Sequence, residues 1–414
     1  RREDKDPWEK RVPLIPSHLN EIVSNHDIDV MVQPSSIRIF TNEDYIRERI
    51  KVEDDLKPCS IIFAIKEIPL NYFEREKVYL FFSHTIKGQS HNLSMLKKMI
   101  ELGCTLIDYE TIVNEKGQRL LFFGRQAGQA GMIDTLAALG QRLSCEGKKS
   151  PLSSIKQAYS YASLVEARED IEKVGWEIKN NGLDPSLVPM VFGFAGYGHV
   201  SLGAQDIFDL LPFEDIVPEG IDSFFEKKNY SANRLYKVVF KEEHMVEPIS
   251  PDQKFELQDY YDNPQKYRSV FDSYVPYLTV IVNGVYWTPE FPRFVSKKYL
   301  KKLYGMNEEP RLRVIGDITC DIDGSMECTV CATSIDNPVF VYDPIKEEVI
   351  FGVEGRGPVV MAIDNLPAEI SRESSIFFSS ALKPFIPEIA QADFSMDFES
   401  CNLPYAIKKA VILF

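Results

Sequence analysis

The sequence predicts an α/β protein made of two Rossmann-like doubly wound domains that enclose an interdomain cleft, with a discontinuous first domain. Apolar runs of strand length alternate with helical segments along roughly the first 140 residues, which is typical of a parallel sheet covered on both faces. A glycine-rich turn follows another apolar run near residue 196, and 414 residues suffice for two large units. We assign residues 1–145 and 366–414 to the first domain. Residues 146–365 form the second domain, with an insertion near 225–275.

Composition excludes several classes of function. The net charge of −15 argues against a broad nucleic-acid or anionic-membrane surface, although a few arginines can still bind a small anion. No run of about 18 apolar residues is present, so we expect no membrane span. The chain begins at Arg1 rather than Met, which we interpret as a processed or excised segment whose targeting peptide is not in view.

The seven cysteines are scattered and odd in number, as expected for free thiols in a reducing compartment. Cys328 and Cys331 form a C-x-x-C pattern within a predicted strand. Because no second pair accompanies them, we interpret them as a structural pair of half-buried thiols, and we predict no metal site.

The first domain opens with a helix over Ser17–Ser24 and continues with short apolar strands. These strands are predicted at Asp29–Gln33, Ser60–Ile65, Val78–Phe82 and Cys104–Ile107. Parallel sheets place ligands at the carboxyl ends of their strands, and Lys66, His84 and Glu110 follow three of these runs.

Lys66 and His84 each have a catalytic and a structural interpretation. A lysine desolvated at a strand end can act as a general base, or it can be a solvated lysine paired with Glu67; the residues alone favour the second interpretation for Lys66. His84, in a Ser-His-Thr turn, can shuttle protons or simply donate to a backbone carbonyl, and both interpretations stand.

A helix rich in small residues is predicted over Gly124–Cys145. Glycine lowers helix stability, so we expect these glycines to permit close packing against another element. The polar stretch Cys145–Ser154 is predicted to be a linker, and a helix over Tyr159–Lys173 leads into the next strand.

The glycine-rich turn follows the predicted strand Met190–Ala195 and carries Gly196, Gly198 and Gly203. It runs into a helix that has Val200, Ala204, Ile207 and Leu211 at helical spacing. Such a turn lets the backbone approach a pyrophosphate, which the helix N-terminus then stabilises, so residues 146–365 are predicted to bind a dinucleotide. His199 is interpreted as a contact to phosphate or ribose, and an ordinary βα turn is the alternative.

The second strand of this domain is predicted at Glu214–Val217. It ends in Pro218-Glu219-Gly220, which offers neither an arginine for a 2′-phosphate nor a terminal acid for a ribose. Further strands are predicted at Leu278–Val282, Leu312–Gly316, Pro338–Val341 and Val359–Ile363, and the chain from Arg372 is predicted to be largely helical. The acid-rich segment Asp317–Gly324 fits a turn facing the cofactor better than a calcium loop, because the run of oxygen ligands and the closing glutamate are missing.

Taken together, these motifs resemble those of the lysine–ketoglutarate reductase domain, the N-terminal half of bifunctional α-aminoadipic semialdehyde synthase. More distantly they resemble fungal lysine-forming saccharopine dehydrogenase and the alanine dehydrogenase/transhydrogenase fold. The resemblance covers essentially the whole chain and rests on motifs in order, among them Arg2-Glu-Asp, Ile65-Lys-Glu-Ile-Pro69, Phe81-Phe-Ser-His84, Ile107-Asp-Tyr-Glu110, Gly196-Tyr-Gly-His-Val-Ser-Leu-Gly203, Asp317-Ile-Thr-Cys-Asp321 and Ile363-Asp364-Asn-Leu-Pro367.

The resemblance implies an oxidoreductase of lysine degradation. It would condense L-lysine with 2-oxoglutarate and reduce the resulting imine with NADPH to saccharopine, leaving NADP. It also implies a homo-oligomer, a mitochondrial matrix location for an animal source and a cytoplasmic one otherwise, and continuation of the polypeptide into a saccharopine-oxidising domain. No nucleic-acid or membrane partner is expected.

The resemblance also implies roles for individual residues. Lys66 and His84 stand at the family's two acid–base positions. Arg11 and Arg119 match positions expected to bind substrate carboxylates, and Glu67 and Glu110 match acids that tune the acid–base pair or receive the amino group of lysine. The cofactor-binding residues implied are Gly196, Gly198, His199, Val200, Gly203, Asp321 and Asp364.

Two alternatives remain open from the sequence. One is a relative with different substrates, such as a fungal-type NAD-dependent saccharopine dehydrogenase or an alanine dehydrogenase-like enzyme. The other is a catalytically silent module that binds nucleotide and lysine. The presence of Lys66, His84 and Arg11 together argues against the silent module.

Overall fold

The computed structural model describes residues 1–86, 92–306 and 309–414. Its α-helices, in chain order, are α1 (Pro16–Asn25), α2 (Asn42–Arg47), α3 (Leu93–Leu102), α4 (Gly124–Cys145), α5 (Leu164–Asn181), α6 (His199–Phe208), α7 (Ile221–Lys227), α8 (Glu242–Met245), α9 (Leu257–Asp262), α10 (Lys297–Met306), α11 (Ser371–Leu382), α12 (Ile386–Gln391) and α13 (Tyr405–Lys409). Over the described residues, none of these helices combines the length and apolar character that crossing a bilayer requires.

The strands, in chain order, are β1 (Met31–Val32), β2 (Lys51–Val52), β3 (Ile61–Phe63), β4 (Val78–Phe81), β5 (Thr105–Asp108), β6 (Val191–Ala195), β7 (Phe213–Asp215), β8 (Leu235–Phe240), β9 (Val246–Pro248), β10 (Tyr267–Ser269), β11 (Val280–Asn283), β12 (Val314–Asp317), β13 (Val339–Asp343), β14 (Glu348–Phe351), β15 (Val359–Met361) and β16 (Val411–Leu413). The predicted α/β class, with parallel strands linked by helices, is therefore confirmed.

The chain divides into two compact units. The first unit contains residues 1–123 and 371–414, and the second contains residues 124–370. Sequence analysis places the boundaries about 20 residues later on the amino-terminal side and a few residues earlier on the carboxyl-terminal side. The main difference is α4, which packs on α6 and β12 within the second unit.

The first unit is built on a sheet with the order β16-β5-β4-β3. Strands β3, β4 and β5 are parallel and buried, and β16 pairs antiparallel with β5. The carboxyl-terminal segment, predicted to be largely helical, thus also supplies an edge strand. Because β16 has only three residues, its apolar pattern is too short to distinguish from the end of a helix.

The second unit contains the sheet β14-β13-β15-β12-β11-β6-β8-β7. Strands β7, β8, β6, β11, β12 and β15 are parallel, and the edge pair β13–β14 runs antiparallel. The chain leaves β6 in one direction toward β8 and β7 and later continues on the other side with β11. This reversal makes β6 the topological switch point, where open α/β sheets bind ligands.

One strand prediction is wrong in a way that affects function. The strand that follows α6, β7, lies at the sheet edge, whereas β8 lies directly beside β6. Sequence analysis takes Glu214–Val217 as the second cofactor strand and assigns residues 225–275 to an insertion. Since β8 lies inside that range and is buried, the range is only partly an insertion.

The interpretation of the Cys328–Cys331 pattern also needs correction. The thiols are free, Cys328 being buried and Cys331 half-buried, as expected for a structural pair. However, the pattern lies in irregular chain between β12 and β13 rather than in a strand. Its apolar residues are buried there without the repeating hydrogen bonds of a sheet.

Candidate functional site

The first candidate group lies at the carboxyl ends of β3, β4 and β5. Lys66, His84 and Glu110 each follow one of these strands by two or three residues. Because the strands are parallel neighbours, their carboxyl ends meet at one edge of the sheet. The predicted position of all three residues is thus confirmed, while their roles stay predictions.

Glu67 is the central carboxylate of this edge. Its Oε1 lies 2.9 Å from His84 Nδ1, and its Oε2 accepts a hydrogen bond of 2.6 Å from Lys5 Nζ. Burial alone raises the pKa of Glu67, but the hydrogen bonds from His84 and Lys5 outweigh it and lower the pKa to about 2. A permanently charged carboxylate therefore orients the His84 ring.

The backbone at His84 is unusual for a residue with a side chain. Its φ is +51°, in the left-handed region that costs a non-glycine residue about 1–3 kcal/mol. The ring stacks on Phe82, with centroids 6.4 Å apart, and the preceding Ser83 hydroxyl donates to the buried Asp108 carboxylate at 2.5 Å. Strain held in place by several contacts is a feature of functional turns.

Glu3 supports the turn that carries Lys66. Its carboxylate accepts the backbone N–H groups of Ile65 at 2.7 Å and of Lys66 at 3.1 Å. Burial, reinforced by the nearby Glu9 carboxylate, raises the pKa of Glu3 to about 7. Sequence reasoning missed both Glu3 and Lys5, because their partners lie more than 60 residues away in the chain.

Arg11 is buried and already engaged. Its Nε and one terminal nitrogen donate to the two oxygens of Glu9 at 2.8 and 2.6 Å, and the guanidinium carbon lies 4.4 Å from the centre of the Phe123 ring. This two-pronged ion pair accounts for two of its donors.

Arg119 and Glu110, both predicted to bind substrate, contact each other. Arg119 lies 3.5 Å from Glu110, and the arginine is 43% exposed whereas the glutamate is 18% exposed. The structure therefore places a partly exposed cation beside a more buried acid at the end of β5.

The second candidate group begins with the glycine-rich turn after β6. Gly196 has a φ of +90°, which favours glycine, and among the described residues none but the chain neighbours of Gly198 has an atom within 4 Å of where its Cβ would stand. Gly198 is the N-cap residue of α6, which begins at His199, and it has no side chain with which to cap the helix. The open space beside a helix start without a side-chain cap fits a pyrophosphate.

Gly203 has the other role expected of such a loop. A Cβ there would collide with the backbone of Arg125, and a Cβ at Gly128 would collide with the backbone of Val200. The helices α4 and α6 therefore approach each other backbone to backbone, and the prediction of close packing by the α4 glycines is confirmed. His199 is exposed and Val200 half-buried at the start of α6.

Asp321 and Asp364 follow the neighbouring parallel strands β12 and β15. They therefore lie at the same edge of the sheet as the glycine-rich turn, Asp321 half-buried and Asp364 exposed. The buried Asp317 carboxylate supports the loop before Asp321 and accepts hydrogen bonds from Asn283, Thr319 and Thr329 at 2.8, 2.9 and 2.5 Å.

The two-unit α/β fold that carries these two groups is similar to that of alanine dehydrogenase and transhydrogenase. Residues 1–130 match the family described as "Alanine dehydrogenase/PNT, N-terminal domain". An L-alanine dehydrogenase structure superposes with a TM-score of 0.60 at 14% identity, covering 99% of this chain and 93% of that one. A transhydrogenase from Sinorhizobium meliloti gives a TM-score of 0.56 at 13% identity, with 94% and 93% covered.

The sequence comparison gives relatives with higher sequence identity to this chain than these two structures. The chain is 38% identical to "Alpha-aminoadipic semialdehyde synthase" of Arabidopsis thaliana, covering 99% of this chain and 39% of that protein. It is 32% identical to "Alpha-aminoadipic semialdehyde synthase, mitochondrial" of Bos taurus, covering 100% and 46%. A "Saccharopine dehydrogenase [NAD(+), L-lysine-forming]" of Emericella nidulans is 24% identical, with 94% and 91% covered.

Over its full length the chain is similar to part of the alpha-aminoadipic semialdehyde synthases, which confirms the resemblance stated above. It spans less than half the length of these first relatives. The similarity to dehydrogenases implies a nicotinamide cofactor.

Proposed function

We propose that this chain is a lysine–2-oxoglutarate reductase that joins the ε-amine of L-lysine to 2-oxoglutarate and reduces the imine with NADPH to saccharopine. The observation that carries the proposal is the set of acid–base groups at the ends of β3 and β4. The set contains Lys66 and the His84 ring, which is held by a charged Glu67. The similarity to alpha-aminoadipic semialdehyde synthases supports the same reaction.

The chemistry requires two proton-transfer groups. The ε-amine must be uncharged to attack the keto carbon, and water must leave before reduction, so one group accepts a proton and another donates one. Lys66 and His84 take these roles in the proposal. Glu67 fixes the ring by its hydrogen bond to Nδ1, which leaves Nε2 as the nitrogen that exchanges protons with the reactants.

Substrate charges have partners at the same edge of the first unit. Arg119 is exposed enough to receive a carboxylate of 2-oxoglutarate, and Glu110 would then bind the α-amino group of lysine. In the proposal Arg11 adds positive charge at a fixed place, because it is buried in its ion pair with Glu9.

The cofactor of the proposal is NADPH, which supplies the hydride when bound. The turn Gly196–Gly198 and the start of α6 would receive its pyrophosphate. Asp321 and Asp364 would lie beside the nicotinamide, since they follow strands on the same side of the switch point as β11.

One assay tests the proposal. NADPH oxidation is followed with lysine plus 2-oxoglutarate, with pyruvate plus ammonia, and with NADH in place of NADPH. We expect turnover with lysine and 2-oxoglutarate, and saccharopine as the product by mass spectrometry. Turnover only with pyruvate and ammonia would assign an alanine dehydrogenase-like activity, and dinucleotide binding without any turnover would assign the silent module.

A further inference from the structure

The sheet order of the second unit identifies a residue beside the glycine-rich turn that the sequence did not suggest. Strand β8 pairs with β6 in parallel, with Ala195 opposite Phe240. The Gly196 N–H donates to the Phe240 carbonyl at 2.9 Å. The residue that follows β8, next to the cofactor turn, is therefore Lys241 rather than Pro218.

This position has a defined meaning in dinucleotide-binding sheets. The end of the strand next to the glycine-rich strand meets the adenosine ribose, where an acid binds the 2′-hydroxyl of NADH and a cation accommodates the 2′-phosphate of NADPH. Both types of residue occur here in succession, as Lys241 and Glu242. The contacts of each side chain indicate which of the two can bind the adenosine ribose or its 2′-phosphate.

Glu242 is held by tyrosines. Tyr261 donates its hydroxyl to Glu242 Oε1 at 2.7 Å, and Tyr197, from the glycine-rich turn itself, also shares a hydrogen bond with this carboxylate. Burial together with the Glu242 charge raises the pKa of the Tyr197 hydroxyl, so it stays a donor at neutral pH. These contacts turn the acid toward the protein.

Lys241, by contrast, is exposed, and its backbone is fixed. The residue is extended, and its N–H donates to His244 Nδ1 at 3.0 Å, which holds the turn between β8 and α8. The flexible side chain thus starts from an ordered backbone beside the cofactor turn. An ammonium in this place attracts a phosphate as a mobile point charge.

We propose that Lys241 binds the 2′-phosphate of NADPH and is the residue that selects NADPH over NADH. The assignment rests on the proposed function, because it takes the turn at Gly196–Gly198 as the pyrophosphate site. It names the residue that decides which nicotinamide dinucleotide this site takes.

The test measures dissociation constants for NADPH and NADH by nicotinamide fluorescence, without substrates, for the wild-type chain, Lys241→Ala and Lys241→Glu. Loss of a charge-assisted contact should weaken NADPH binding about 10- to 100-fold, and more for Lys241→Glu. NADH affinity should stay within about twofold. Lys227→Ala, at the exposed end of α7 in the same unit, is the matched control and should change neither constant.

A second variant separates the lysine from the acid. Glu242→Gln should leave NADH binding within about twofold of wild type, since this carboxylate is occupied by Tyr261 and Tyr197. Equal losses for both dinucleotides in Lys241→Ala, or unchanged NADPH binding, would overturn the assignment. A selective loss of NADH affinity in Glu242→Gln would overturn it as well and transfer the role to the acid. A wild-type chain that binds neither dinucleotide would refute the proposed function itself.

Discussion

The two units carry very different residues at the carboxyl ends of their parallel strands. The edge formed by β3, β4 and β5 carries charged groups in contact, such as Glu67 with His84 and Lys5. The corresponding edge around β6 also carries charged residues, such as Asp321 and Lys241, but the turn directly after β6 is formed by glycines with an open space at Gly198. The difference matches two tasks, since proton transfer needs titratable side chains whereas a pyrophosphate needs accessible backbone.

The largest effect should come from the acid–base pair. Lys66→Met and His84→Gln should each lower turnover by roughly 10²–10⁴, the range typical of general acid–base groups. Dinucleotide affinity should be unchanged, because both residues belong to the first unit whereas the glycine-rich turn belongs to the second. Steady-state kinetics and fluorescence titration check both parts. Near-normal turnover in either variant would mean that the residue is structural, as the sequence alone favours for Lys66.

In the glycine-rich turn, a substitution should change dinucleotide affinity, which the variants of the acid–base pair should leave unchanged. Gly198→Val adds a side chain where the structure is open, so stability without ligand should change little while dinucleotide affinity falls by about 10-fold or more. Gly203→Val is the matched variant, because its side chain would meet the Arg125 backbone and overpacking costs about 1–3 kcal/mol. Calorimetric titration and thermal unfolding of both proteins measure the contrast. Unchanged affinity in a folded Gly198→Val protein would make the loop a plain βα turn.

The pH dependence of stability tests whether the charged cluster around Glu67 stabilises the first unit. The pKa of Glu67 is lowered to about 2, so its charge stabilises the fold above about pH 4.5, and this contribution is lost as the pH falls toward 2. Because Lys5 is half exposed, screening limits the contribution to about 1–2 kcal/mol. Glu67→Gln should therefore lower the thermal midpoint at pH 7, with a difference from wild type that shrinks in acid.

A surface ion pair serves as the control for Glu67. The carboxylate of Glu21 pairs with Lys383 at 2.8 Å but is 52% exposed, so Glu21→Gln should have little effect at any pH. Equal losses for Glu21→Gln and Glu67→Gln would show that the Glu67 cluster has no special stability.

The second unit contains a buried pair of acids, Asp134 and Glu369, whose pKa values are raised rather than lowered. Their contribution to stability therefore falls as the pH rises. Asp134 and Glu369 accept the backbone N–H groups of Ala158 and Tyr159 at 2.8 and 3.0 Å, and the other oxygen of each carboxyl group is buried without a hydrogen-bond partner among the described residues. Burial raises the pKa of Asp134 to about 6, and burial together with the Asp134 charge raises the pKa of Glu369 well above its ordinary value, so the pair holds a proton at a higher pH than the unfolded chain does. The stability from this proton is complete below about pH 4 and is lost as the pH rises through 6.

This pair gives the smallest expected effect. Asp134→Asn keeps the acceptor for Ala158 and removes the ionisable carboxyl group of Asp134. The decline in stability between about pH 4 and 6, at most about 1.4 kcal/mol per pH unit for one proton, should therefore flatten. Thermal midpoints of both proteins at pH 4 and 7 measure this change. An equally steep decline in the variant would refute the raised pKa of Asp134.

Much of the fold and of the site could be read from local pattern. The apolar runs before Lys66, His84 and Glu110 each predicted a strand, because a short segment shows its own periodicity and its own end. The same holds for the strand, glycine-rich turn and helix at Gly196, and the predicted helix Gly124–Cys145 agrees with α4. Residue roles at these positions came from family resemblance and remain to be tested.

The tertiary structure alone decided which strand ends are neighbours. Nothing in the sequence around Leu235–Phe240 states that β8 lies beside β6, because strand order follows from the path of the crossing connections and not from periodicity. The partners Lys5 and Glu67 likewise meet only after folding, across 62 residues. The sequence by itself determined which elements form and where the reactive residues lie along the chain. Packing determined which residues contact one another, because hydrogen bonds and charges act over a few ångströms of space regardless of distance along the chain.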